Sequence, residues 1–282
     1  MNLKILALDT SALTASAALL DGNTVKGEIS FTCALNHSQT IMESVDALLR
    51  RLSLTPKDVD LFACANGPGS FTGLRIGIGT VKGLAFGADK MTVGVPTLLA
   101  LAHNVSVSDC LIAPIMDARR SQVYNALYRS ENGILREVCS PRAVSVEDLC
   151  GRLNEKTLFV GDGVNPYREK ITELLGGNAL FAPPNLCLQS AASVALAARD
   201  IPPVSAAELG AVYLRKSQAE REREEKPILA KKVIWDGTQK LPEHSGRGAV
   251  AGRDGMGSRG QNTQRARCGG GELLPRLYRR AR

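Results

Sequence analysis

One pattern constrains this chain more than any other. An apolar stretch ending in aspartate, a short polar turn and an alternating stretch occur twice. Residues 3–21 read LKILALDTSALTASAALLD, and residues 111–129 read LIAPIMDARRSQVYNALYR. The first stretch closes on Asp9 and the second on Asp117, an offset of 108, which puts Val123, Asn125 and Leu127 where Ala15, Ala17 and Leu19 stand. A short apolar run bounded by turn residues reads as a buried strand, and the alternation after it as a second strand. Two unrelated hairpins would give the same strings. A true duplication gives two similar α/β halves, 1–108 and 109–216, each opening with a strand and a hairpin.

The stretches between these hairpins fit such halves. Residues 3–9, 13–20 and 24–30 read as strands, with Asp21, Gly22 and Asn23 as a hairpin turn. Ile41, Val45, Leu48, Leu49 and Leu52 recur at helical spacing and predict a helix over 38–52. Strands follow at 60–65, 91–95 and 157–161, and helices near 97–107, 145–154, 166–175 and 189–199.

The 282 residues are 44% hydrophobic and 22% charged, ordinary values for a globular chain of about two domains. No run of 18 uncharged apolar residues occurs, so no membrane helix is expected. The N-terminal stretch faintly resembles a secretory signal, but Asp9 interrupts it too early, and it reads as a strand of a cytoplasmic protein. The formal charge of +7 is unevenly placed. Residues 1–216 carry 20 basic and 20 acidic side chains, whereas 217–282 carry 15 and 8. The body is therefore not a broad cationic surface of the kind that binds nucleic acid unaided. Beyond Trp235 the chain is rich in Gly and Arg without apolar period, and 217–282 is expected to be a disordered basic tail. The seven cysteines (Cys33, Cys64, Cys110, Cys139, Cys150, Cys187 and Cys268) form no CxxC pair and read as reduced thiols, partly buried.

Candidate chemistry concentrates in GPGSFTGLRIGIGTVKGLAFG at 67–87, which is neither a Walker A loop nor GxGxxG. It reads as a turn at Gly67, Pro68 and Gly69, an N-cap at Ser70 or Thr72, and a helix. Such a helix start presents free N–H groups that can hold a phosphate. With the strand-end loop Asp9, Thr10 and Ser11, this makes Gly67, Gly69 and Ser70 candidate phosphate-binding residues, though either aspartate, Asp9 or Asp117, is equally a turn cap. Inside the helix lie Gly73, Gly77, Gly79, Gly83 and Gly87. Each interior glycine costs ~1 kcal/mol against alanine, so close backbone packing must offset them, within the chain or against a partner. His37 reads as an exposed or capping residue, His103 as a core-edge residue, and His244 lies in the tail. With no HExxH, no GxSxG and no second histidine near His37, no catalytic or metal site is expected.

Taken together, LALDTS at 6–11, His37 with Ser38, GPGSFTGLRIGIGTVKGLA at 67–85, MDARRSQVY at 116–124, GDG at 161–163 and YLRKS at 213–217 resemble the TsaB (YeaZ) family over about residues 1–223. The resemblance implies the actin/Hsp70/sugar-kinase-like fold of two duplicated α/β lobes. It implies a non-catalytic scaffold subunit of the complex that adds threonylcarbamoyl to the adenosine beside the anticodon, in tRNAs reading codons that begin with A. The catalytic partner would be a TsaD-like subunit, joined by a TsaE-like ATPase. A homodimer is expected when the chain is alone, with tRNA met only through the complex. No cofactor of its own is expected, and ATP or ADP only in the complex. The metal-binding HxxxH of the catalytic paralogue is missing, since Ile41 stands four residues after His37. Family contacts run through the two helices after the first hairpin, which marks Ile41, Val45, Leu48, Gly73, Gly77, Gly79 and Gly83 as the partner interface. The alternatives are a glycoprotease-like peptidase or an ATPase acting alone. The family usually ends soon after the YLR segment, so residues 217–282 are either an extended or out-of-frame C-terminus or a basic arm for tRNA phosphates.

Overall fold

Two five-stranded sheets of the same design carry the chain. The computed structural model describes residues 2–32, 37–107, 109–131 and 134–215, all within one contact unit, Met1–Ile228. The expected disordered tail at 217–282, with His244, Cys33 and Cys268, lies outside the described residues.

In the first sheet, β1 (Lys4–Asp9), β2 (Thr14–Asp21) and β3 (Thr24–Thr32) form an antiparallel meander. Helix α1 (His37–Arg51) then crosses to β4 (Leu61–Gly67), parallel to β1, and α2 (Phe71–Ala88) crosses to β5 (Met91–Pro96). The order is β3-β2-β1-β4-β5. After α3 (Thr97–His103), the second sheet repeats it. Strands β6 (Leu111–Asp117), β7 (Gln122–Glu131) and β8 (Ile134–Ser145) form the meander. Helix α4 (Val146–Cys150), β9 (Thr157–Val160), α5 (Val164–Leu175) and β10 (Ala179–Phe181) complete an order of β10-β9-β6-β7-β8. Strand for strand this is the first sheet again, so the chain has the two duplicated α/β lobes expected from the sequence. The short α6 (Pro184–Cys187) and then α7 (Ala191–Ala198) follow.

The duplication is not in constant register. Asp9 pairs with Ser16, and Asp117 with Val123. Six residues separate the first pair and five the second, so the second hairpin loop is one residue shorter and Val123 matches Ser16 rather than Ala15. Arg119, Arg120 and Ser121 in that shorter loop all adopt positive φ (64°, 54° and 57°). Strand β8 was not expected. Its string, ILREVCSPRAVS, carries charges and Pro141, but it sits at a sheet edge, where exposed charges and a proline are tolerated.

The central strands are buried on both faces, so β1 reads as an unbroken apolar run. One face of the first sheet packs Leu6, Leu8, Leu19 and Phe62 against α1 and α2. The other packs Ile5, Ala7, Val93 and Val95 against Val194, Ala195 and Ala198 of α7. Each large side chain so buried is worth about 1.5–3 kcal/mol. The second sheet's core takes Leu98 and Leu101 from α3 with Leu149, Val164 and Ile171. The expected division at 108/109 therefore describes the strands but not the helices: α7, from the second half of the sequence, covers the first sheet, and α3, from the first half, packs into the second lobe.

Candidate functional site: the interlobe cleft and the outer face of α2

The glycine-rich segment folds as expected, into a turn and a helix. Ser70 is the N-cap of α2, its Oγ accepting from Gly73 N at 3.3 Å, and Asp89 ends the helix in a left-handed conformation. The candidate phosphate residues do come together, and several of them bond one another. Ser11 donates to Asp9 Oδ1 through both N (2.8 Å) and Oγ (2.6 Å). Thr10 Oγ1 donates to Gly73 O at 2.8 Å, and Ser70 N donates to Ser11 O at 2.7 Å. A Cβ on Gly69 or Gly73 would run into the carbonyl oxygens of Ser11 or Thr10, and one on Gly67 into Val212 O. At the start of α2, Ser70 N and the Cα atoms of Gly69 and Gly73 thus face carbonyl oxygens of the chain's own β1–β2 loop. The phosphate-site expectation is thereby narrowed: Asp9, Thr10 and Gly67 are not among the residues that line the interlobe cleft, while Ser11, Gly69 and Ser70 are.

The interface expectation is also corrected in part. Ile41, Val45 and Leu48 are almost wholly buried against the first sheet, because α1 turns its apolar face inward. Gly73 and Gly77 face the β1–β2 loop, where a Cβ on Gly77 would lie 2.5 Å from Thr10 Oγ1. These five residues have no surface to give a partner. Gly79 and Gly83 do: with Gly87 they lie on the outer face of α2, with nothing within 4 Å of an added Cβ, beside Phe86, which is 85% exposed. Helix α1 packs next to α2 and exposes Met42.

Between the lobes lies a cleft of about 750 Å³, with Ser11, Gly69, Ser70 and His37 on one side and Asp117, Arg119, Tyr124 and Asp162 on the other. Asp9 sits beneath it, its Oδ2 without a hydrogen-bond partner among the described residues. Burial pushes the Asp9 carboxyl up to about 6, against the opposing Ser11 hydrogen bonds. Asp162 is likewise pushed up to about 6, chiefly by burial, while Gln189 Nε2 donates to its Oδ1 at 3.1 Å. Asp117 accepts from Arg119 N (2.8 Å) and from the Tyr167 hydroxyl (3.4 Å). His37 Nε2 donates to Ala12 O at 2.7 Å, closing the first hairpin loop onto α1. His103, half-buried at the end of α3, is held below the ordinary imidazole pKa chiefly by that burial. Among the described residues no three His, Cys, Asp or Glu side chains gather as a candidate metal cluster. The five described cysteines are unbridged, with Cys64, Cys150 and Cys187 buried. No described helix is long and apolar enough to cross a membrane. Sequence reasoning marked GDG at 161–163 and YLRKS at 213–217 only as family motifs and did not place Asp162, Tyr213 or Arg215 at the cleft, since each takes its place from a distant part of the chain.

Comparison with known proteins gives concordant matches. Residues 30–219 match the family model described as TsaD, tRNA N6-adenosine threonylcarbamoyltransferase. The tRNA threonylcarbamoyladenosine biosynthesis protein TsaB of Haemophilus influenzae is 33% identical over 76% of this chain and 94% of that one. Its namesake in Bacillus subtilis is 40% identical over 61% of this chain and 76% of that one. Among solved structures, YeaZ from Pseudomonas aeruginosa superposes with a TM-score of 0.65 at 27% identity, covering 75% of this chain and all of that one.

Proposed function

Because the chain belongs to the TsaB family, we propose that it serves threonylcarbamoyladenosine biosynthesis on tRNA as an accessory subunit, supporting a TsaD-like catalytic subunit rather than performing the transfer itself. The observation that carries the reading is the outer face of α2. Gly79, Gly83 and Gly87 weaken the helix by about 1 kcal/mol each, and no packing within the described residues explains them. A second backbone closing on that face would. The contact is built from Gly79, Gly83 and Phe86, with Met42 of the neighbouring α1 at its edge. Left bare, the face pairs with its own copy, giving a homodimer when the partner is absent. A TsaE-like ATPase joins the assembly, and tRNA and ATP or ADP are met there, in the cytoplasm.

Gly83→Leu tests this. The substitution favours the helix, and its Cβ meets no described atom within 4 Å, so the variant should fold as wild type by circular dichroism. Against a TsaD-like subunit, calorimetry should show at least about tenfold weaker binding, since ~1.4 kcal/mol of overpacking suffices. A folded variant that binds as tightly as wild type refutes the contact. The pure chain should show no threonylcarbamoyl transfer, ATP hydrolysis or peptide cleavage; chelator-sensitive transfer by the chain alone would refute the accessory role.

A further inference from the structure

The segment after α7 returns across the first lobe and ends at the second. Val204 pairs with Thr92 of β5 through two backbone hydrogen bonds (2.7 and 2.8 Å). Lys82 Nζ of α2 donates to Ala207 O at 3.2 Å, Leu209 is buried in the core beneath α2, and Val212 N donates to Asn66 O at 2.7 Å. The Tyr213 ring lies 4.8 Å from that of Phe71, and its hydroxyl accepts from Arg75 Nε at 3.3 Å, while the Arg75 guanidinium covers Phe71 at 3.8 Å. All of these hold the segment to the first lobe. Two residues on, Arg215 Nη1 donates to Ala118 O at 2.9 Å, in the β6–β7 loop of the second lobe. Tyr213, Leu214 and Arg215 thereby form one wall of the interlobe cleft.

We propose that residues 204–215 are a strap that fixes the spacing of the lobes, with Arg215 as its catch on the second lobe. The receiving loop suits a catch. Three successive residues other than glycine at positive φ persist only where surrounding contacts hold them, and the Arg215 bond to Ala118 O is one of those contacts. The strap also runs along α2 from Phe71 to Lys82, so the α2 surface and the second lobe are joined through it. This inference does not depend on the subunit contact proposed above, and its test uses the chain alone.

The test is hydrogen exchange by mass spectrometry on the full chain, comparing wild type with Arg215→Ala and Arg215→Gln. A hydrogen bond from a charged donor is worth enough for its loss to raise local exchange about tenfold. Arg215→Ala should speed exchange in the 117–122 loop and also at 69–74 and 161–165, cleft segments that do not bond Arg215. Protection of β1 and β4 should not change. Arg215→Gln, which keeps a neutral donor, should fall between. Faster exchange confined to 117–122 would mean a local bond with no hold on the lobes, and overturns the proposal. Exchange equal to wild type, or raised equally throughout the core, overturns it as well.

Discussion

Alanine placed at each glycine of α2 should divide the helix into two classes with opposite effects on stability. At Gly79 and Gly83 an added Cβ meets nothing, so the substitution gains only helix propensity, about 0.8–1 kcal/mol. For a folded body of this size, 1 kcal/mol moves Tm by roughly 2–4 °C, so each variant should melt that much higher and the pair about twice as much. At Gly73 the same propensity gain is overwhelmed. The Cβ would enter the space of Thr10 O, and overpacking of that kind costs about 1–3 kcal/mol. Moving the loop away would also disturb the Thr10 Oγ1 bond to Gly73 O, worth about 1 kcal/mol. The net loss is roughly 1–3 kcal/mol, a fall in Tm of about 2–12 °C. Thermal melts of the isolated chain followed by circular dichroism decide the matter. A Gly73→Ala variant as stable as wild type, or a Gly83→Ala variant that melts lower, would refute the reading of which glycines the chain itself requires.

Two other outcomes follow from individual carboxylates, one buried (Asp9) and one exposed (Glu28). Asp9 is pushed up to about 6 from an ordinary 3.8, so the folded state holds this proton where the unfolded state has lost it. Its contribution is fully present below about pH 4 and is lost as the pH rises through 6, a swing of roughly 3 kcal/mol. Asp9→Asn, which keeps the oxygen that Ser11 bonds, should remove that component; urea melts from pH 4 to 8 check it, and a wild-type minus variant difference flat across that range would count against it. Glu28 Oε1 accepts from Ser16 Oγ and Ser190 Oγ, both at 2.8 Å, and from Ala192 N at 3.2 Å, tying the start of α7 to β2. Glu28→Ala should cost about 1–2 kcal/mol in the same melts, with Glu28→Gln losing less than half of that.

Much of this architecture is legible in the sequence, and what is not fails for identifiable reasons. Strands buried on both faces, such as β1 and β6, show as unbroken apolar runs, and α1 shows as an amphipathic period. That period states which residues are apolar, not what covers them, so Ile41, Val45 and Leu48 read equally as core or as interface. The glycines of α2 held a further signal. At about 100° per residue, Gly73 and Gly77 fall within roughly 40° of each other, while Gly79 and Gly83 lie about 240° and 280° round the helix from Gly73, roughly 80° or more away. Four-residue spacing joins members within each group, not the two groups. Helix α7 gave no such clue, since AASVALAA is apolar nearly all round and its order in the chain points to the wrong lobe. The internal bonding of the loop at Asp9 was equally hidden: a serine, a threonine and glycines beside a helix start look the same whether they face a phosphate or a carbonyl of their own chain.

The placement of α7 also sets a schedule for the protein's synthesis. The five strands of the first sheet are complete once residue 96 has been added, but the helix that shields Ile5, Ala7, Val93 and Val95 ends at Ala198. At about 5–20 residues per second, the ribosome adds the intervening hundred or so residues in roughly 5–20 s. Throughout that interval one apolar side of the nascent sheet lacks its final cover. The first lobe therefore cannot finish folding as an independent N-terminal module, and a fragment ending at the lobe boundary would present that bare side to any neighbouring chain.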